Sequence, residues 1–271
     1  MYLLYCIMKT PLASLKPAVA GLGGSPVFLT SCNGLSAALS KLPPSPGLPG
    51  TKELLDYSRV IEELHLRHGV IPIRYGCCFE EPLHIHDLLR QRTRQYLTLL
   101  DELAGNVEMG IRILFPADQD HSGGNSSCVT ATQGDGKGAT DGLVSGKGHD
   151  FLATRKTHYI QVDQASRRYT QAATYYGEVF SASCLRHIFE ADEEKSLLSL
   201  YFLIPERQVE RFRETFHSIK RGVGERILMS GPWPPYNFAV EAQRNIGTKF
   251  EKNTSAPFVH LPLSTYKGVG T

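Results

Sequence analysis

Residues 2–8 form a short run in which nearly every side chain is apolar, the pattern of a strand covered on both faces. Residues 27–32 and 35–40 repeat this more briefly, and the Asn33-Gly34 pair between them is a strong signal for a two-residue hairpin. A Pro- and Gly-rich break over residues 43–50 precedes a stretch in which Leu54, Tyr57, Ile61 and Leu64 recur at helical spacing, with Gly69 as its end. Residues 70–75 read as a strand, and Pro72 within them implies an edge or a bulge. The next pattern, over residues 82–103, predicts one amphipathic helix whose stripe is Ile85, Leu89, Tyr96, Leu100 and Leu103, capped by Gly105. Residues 107–115 then give another strand. Strand, hairpin, helix, strand, helix, strand predicts an α+β fold of ferredoxin-like sandwich character for an N-terminal domain over residues 1–116.

Periodicity disappears over residues 117–148, which hold eight glycines among Ser, Thr and Asp and almost no large apolar side chain. Such a segment cannot offset the entropy of ordering, which predicts a flexible linker or insertion. Tyr159, Val162, Tyr169, Ala173, Tyr176, Phe180 and Cys184 then keep helical spacing, predicting one long helix or two abutting ones over residues 149–187, with Gly177 as a weak point. Residues 197–204 read as a buried strand ended by Pro205, residues 206–220 as a charged amphipathic helix, and residues 226–230 as a last strand. Residues 149–238 are thus expected to form a second, smaller α+β domain with a long helix, and residues 239–271 a tail.

The charge balance removes one class of partner. With 29 basic and 27 acidic residues and a net charge of +2, the chain lacks the electrostatic footprint of a nucleic-acid binder. No apolar run reaches the length of a membrane span, and the short apolar start lacks a basic leader, so a cytosolic protein without a membrane partner is expected. Cys6, Cys32, Cys77, Cys78, Cys128 and Cys184 have no C-x-x-C spacing and read as reduced thiols.

The candidate chemistry is thin. His65, His68, Cys77, Cys78, His84 and His86 crowd one region, but His84 and His86 lie two apart on a helix and share no face, so they make a poor zinc set. Asp118, Asp120, Ser122 and Gly123 imitate the start of a calcium loop, yet Val129 falls where a bidentate glutamate is required. Gly21 to Gly24 and Gly134 to Gly138 lack the phosphate-loop spacing. Glu108 sits mid-strand and reads as half of an exposed cross-strand salt bridge with Arg74 or Arg112. No serine stands in a nucleophile elbow. Catalytic residues, cofactors and metal ligands are therefore expected to be none.

The most specific stretch is Ser230-Gly231-Pro232-Trp233-Pro234-Pro235-Tyr236-Asn237-Phe238, which holds the only tryptophan. Its prolines fix φ and remove amide donors, so it must leave a sheet with its aromatic rings aimed at fixed places, to seal a core or to dock a partner. Together with Tyr2 to Ile7, Ile71 to Gly76, the helix from Pro82 and Gly105 to Ile113, it resembles the GvpF/GvpL gas vesicle family, across about residues 1 to 238. The resemblance implies a non-enzymatic accessory component, F-type rather than L-type, that binds the small shell protein GvpA and other gas vesicle accessory proteins and supports assembly at the vesicle. Pro72, Arg74, Tyr75, Trp233, Tyr236 and Phe238 are the candidate partner-binding or core-sealing residues. The alternative is a small-molecule-binding or enzymatic ferredoxin-like protein with its site in an inter-domain cleft. A depth of that cleft lined by ionisable groups would favour the alternative.

Overall fold

A computed structural model describes residues 1–11, 20–42, 50–115, 167–192, 194–220, 226–243 and 246. The first sheet contains β1 (Tyr2–Lys9), β2 (Val27–Cys32), β3 (Leu35–Lys41) and β4 (Val70–Pro72) in the order β2-β3-β1-β4, with the two-residue β5 (Cys78–Phe79) also on β1. The second contains β6 (Asn106–Leu114), β7 (Arg186–Asp192), β8 (Leu197–Pro205) and β9 (Arg226–Trp233) in the order β7-β8-β6-β9. Every pairing is antiparallel. Helices are α1 (Thr51–His65), α2 (Pro82–Gln91), α3 (Thr93–Leu103), α4 (167–180), α5 (Val209–Lys220) and α6 (Val240–Gln243). The fold is α+β.

Each sheet buries both faces, because its strands alternate between two apolar sets. Leu3, Tyr5 and Met8 of β1 meet Tyr57, Val60, Ile61 and Leu64 of α1. Leu4 and Ile7 face the opposite way, toward Ile85, Leu89, Tyr96, Leu100 and Leu103 of α2 and α3. That same cluster takes in Tyr201 and Leu203 of β8, so α2 and α3 lie between the sheets. The outer face of the second sheet, with Met109, Ile111, Leu200 and Phe202, is covered by Tyr169, Ala173, Tyr176 and Phe180 of α4 and by Phe212 and Phe216 of α5. The layers therefore run α1, sheet, α2 and α3, sheet, α4 and α5.

Several expectations change. β6, assigned above to the N-terminal domain, pairs only with β8 and β9, because Met109, Ile111 and Ile113 belong to the second sheet's outer core. The single helix over residues 82–103 is two, broken at Arg92, where Thr93 Oγ1 donates to the Leu89 and Arg90 carbonyls and the Arg92 guanidinium reaches the Ala242 carbonyl. The strand expected over residues 70–75 stops at Pro72. The helix expected to reach residue 187 ends at 180, and Arg186–Asp192 is a strand on β8. Gly177 is where this strand comes close: a Cβ there would lie 2.7 Å from His187 Nε2. The tail expected from residue 239 begins instead with buried Ala239, Ala242 and Ile246. The proposed linker, residues 117–148, lies outside the described residues, as do 149–166. The Asn33-Gly34 hairpin is present, with φ of 51° and 77°.

Candidate partner-binding site

The Pro- and aromatic-rich segment leaves β9 at the outer edge of the second sheet. The β6–β9 ladder slips between Glu108 and Gly110, so that Glu108 faces Trp233 while Gly110 faces Ser230. Gly231 takes φ +107°, and a Cβ there would sit 2.7 Å from the Glu108 carbonyl oxygen, so the position combines a left-handed backbone with a close approach. Pro234 and Pro235 are buried behind Trp233, whose own side chain remains 37% exposed.

Glu108 anchors the segment. Its carboxylate is buried and accepts hydrogen bonds from the Asn237 backbone N–H at Oε2 (2.8 Å) and from Asn237 Nδ2 at Oε1 (2.7 Å). Burial pushes its pKa up to about 7, the two Asn237 bonds pull the other way, and the negative charge of Glu190 adds to the rise. This corrects the expected exposed salt bridge. Glu108, Gly110 and Arg112 share the inner face of β6, opposite the row of Met109, Ile111 and Ile113, and that face is closed here by the chain after β9.

Beyond Asn237 the segment ties the two sheets together. Phe238 enters the cluster between them, with the Arg186 guanidinium 5.5 Å from its ring centre. Tyr236 packs against the α1 cluster, and burial raises its pKa strongly. Gln243 finishes the contact: its Nε2 donates to the Pro72 carbonyl (2.8 Å) and its Oε1 accepts from the Arg74 N–H (3.2 Å). These are backbone groups of the strand edge expected to be open near Pro72, so the edge is occupied there by the chain itself.

The six candidates therefore do not converge on one surface. Pro72 is buried in β4 opposite Cys6, Tyr75 lies half-buried and edge-on to Tyr57 at 5.2 Å, and Tyr236 joins them in the α1 cluster. Phe238 lies in the core between the sheets, and the Arg74 side chain is exposed beside this seam. Trp233 stands apart, on β9 with exposed Leu228. Sequence reasoning missed Glu108, Asn237 and Gln243 as a set. The usable signal was a lone carboxylate in the apolar stretch Val107 to Ile113, which needs donors from elsewhere in the chain if it faces inward. Among the described residues no three His, Cys, Asp or Glu side chains gather as a metal set would require, and Cys6, Cys32, Cys77, Cys78 and Cys184 form no disulfide.

Residues 1–240 match the family profile described as gas vesicle synthesis protein GvpL/GvpF. The chain belongs to this family. Two solved structures share its fold: the gas vesicle protein GvpF from Anabaena sp. PCC7120, with a TM-score of 0.67 at 19% identity, covering 88% of this chain and 95% of that one; and GvpF from Microcystis aeruginosa, with a TM-score of 0.67 at 18% identity, covering 88% and 98%. No curated protein matches the chain. No described helix is long and apolar enough to cross a membrane.

Proposed function

We propose that this GvpL/GvpF family member is a non-enzymatic accessory protein of gas vesicle assembly that binds the small shell protein GvpA at the vesicle. In this reading, the docking surface lies on the second sheet, whose described elements β6, α4, β7, β8, α5 and β9 follow the ferredoxin-like order expected above of the N-terminal half. The observation that carries the proposal is the partial exposure of Trp233, 37% on the outer strand β9. Buried Pro234 and Pro235 and the Glu108–Asn237 hydrogen bonds fix the chain that follows it. Leu228, 52% exposed, lies on the same outer strand. A shell subunit with an apolar face is an aggregation hazard before it is incorporated, and an aromatic anchor at a pinned position can cover such a face. The same segment's Tyr236 packs on the α1 cluster and Phe238 in the core between the sheets, which leaves Trp233 as its docking residue.

The test is co-expression with the shell protein of the same vesicle system. The proposal predicts that the shell protein is retained in the soluble fraction when this chain is present and pellets when it is absent. Equal pelleting with and without the chain would contradict it.

A further inference from the structure

Among the described residues five strands bound the two sheets; β5, beside β4 on β1, is only two residues long, and three of the others are blunted. At β4 the Gln243 side chain takes the Pro72 carbonyl and the Arg74 N–H. β9 is bent by the slip in its ladder and carries Pro232. β2 packs under α2, where His86 bonds Thr30. β7 has none of these devices. It pairs with β8 in unbroken register over all seven residues, contains no proline, glycine or lysine, and has no neighbour on its far side among the described residues. Arg186, His187, Phe189, Glu190 and Ala191 are all exposed. A long, regular, uncapped edge is a template for a further strand.

We propose that β7 pairs antiparallel with β7 of a second copy of this chain, about a twofold axis through Phe189. The charge order on its inner face selects this partner and this direction. Arg186, Ile188, Glu190 and Asp192 lie on one face, opposite Leu203, Tyr201, Ser199 and Leu197 of β8. An antiparallel twin sets Arg186 against the second copy's Asp192, twice by symmetry, with the second copy's Glu190 on the diagonal. In-register parallel pairing would instead set arginine beside arginine. On the outer face Phe189, 45% exposed, meets its own copy at the axis. The two four-stranded sheets become one continuous sheet. Trp233, on β9 at the opposite edge, is left free at both ends, so the dimer would present two copies of the surface assigned above to the shell protein.

Sedimentation equilibrium of the full chain over a range of concentrations tests this. The wild type should show a monomer–dimer equilibrium. Arg186→Glu and Asp192→Lys should each be monomeric, and their equimolar mixture should dimerise again, because each swapped side chain then meets its complement. Arg186 also lies 3.8 Å from Glu102, and Asp192 accepts from the Lys195 N–H and ammonium, so a third variant avoids both contacts: Phe189→Glu places like charges on the axis and should be monomeric, melting as the wild type does at concentrations too low for the dimer. A wild type that stays monomeric at every concentration, a dimer that persists in Phe189→Glu, or a mixture that remains monomeric would overturn the proposal. None of these readouts involves the shell protein, so the dimer and the docking role can fail separately.

Discussion

Glu108 makes the stability of this protein depend on pH in a direction that runs against most carboxylates. Its pKa stands at about 7 against an ordinary 4.5, because burial costs the ionised form more than the two Asn237 donors return. A folded-state value above the unfolded one means that the native protein binds the proton more tightly. The contribution is fully present below about pH 4.5 and is lost as pH rises through about 7. At about 1.4 kcal/mol per pH unit, the gap corresponds to about 3 kcal/mol. Glu108→Gln removes the titration while keeping an acceptor for the Asn237 N–H, and a flipped Asn237 amide accepts from the new amide. Urea unfolding followed by circular dichroism, from about pH 4 to about pH 9, measures the effect as the difference between wild type and variant. Glu62, whose pKa burial raises, and His65, whose pKa burial lowers, are common to both proteins and drop out of that difference. The variant should gain on the wild type by about 3 kcal/mol across that range, with the change spread between about pH 4.5 and about pH 7. A difference that stays constant with pH would refute the assignment of a buried, cation-free carboxylate.

Gln243→Ala should leave the Pro72 carbonyl and the Arg74 N–H without their side-chain partner, costing about 1–2 kcal/mol and speeding hydrogen exchange at the Arg74 amide; unchanged exchange at Arg74 would contradict the edge-capping role. Gly231→Ala forces a Cβ to within 2.7 Å of the Glu108 carbonyl oxygen at φ +107°, and thermal melts should show a loss of at least about 2 kcal/mol. Phe238→Ala, at a buried position between the sheets, should cost about 3–5 kcal/mol by the same measurement.

Much of the fold was legible in the sequence because it rests on period and turn chemistry. The hairpin at Asn33-Gly34 and the stripe from Ile85 to Leu103 are local patterns, and both are where the sequence places them. What could not be read was set by distant partners. β6 looks like any apolar strand, and nothing local says that it joins β8 and β9 rather than β1. β7 was hidden because Phe180 and Cys184 continue the spacing of α4, while its exposed edge needs little apolar alternation to stay paired with β8. In the candidate site the unusual residues, Trp233 to Phe238, were visible from composition, but their division between surface and core was not. That division depends on Glu108 and Gln243, which lie 129 and 171 positions from their partners Asn237 and Pro72. Hydrogen bonds at such separations leave no periodic trace.

The central claim is that Trp233 is a docking residue held at the surface by a buried scaffold. Affinity capture of the shell protein by wild type and by Trp233→Ser, with the melting temperature of each protein measured in parallel, tests it most directly. The account predicts that the wild type captures the shell protein and that the variant loses capture while remaining cooperatively folded well above the capture temperature. Capture that survives the substitution, or that falls only in step with the melting temperature, would contradict it.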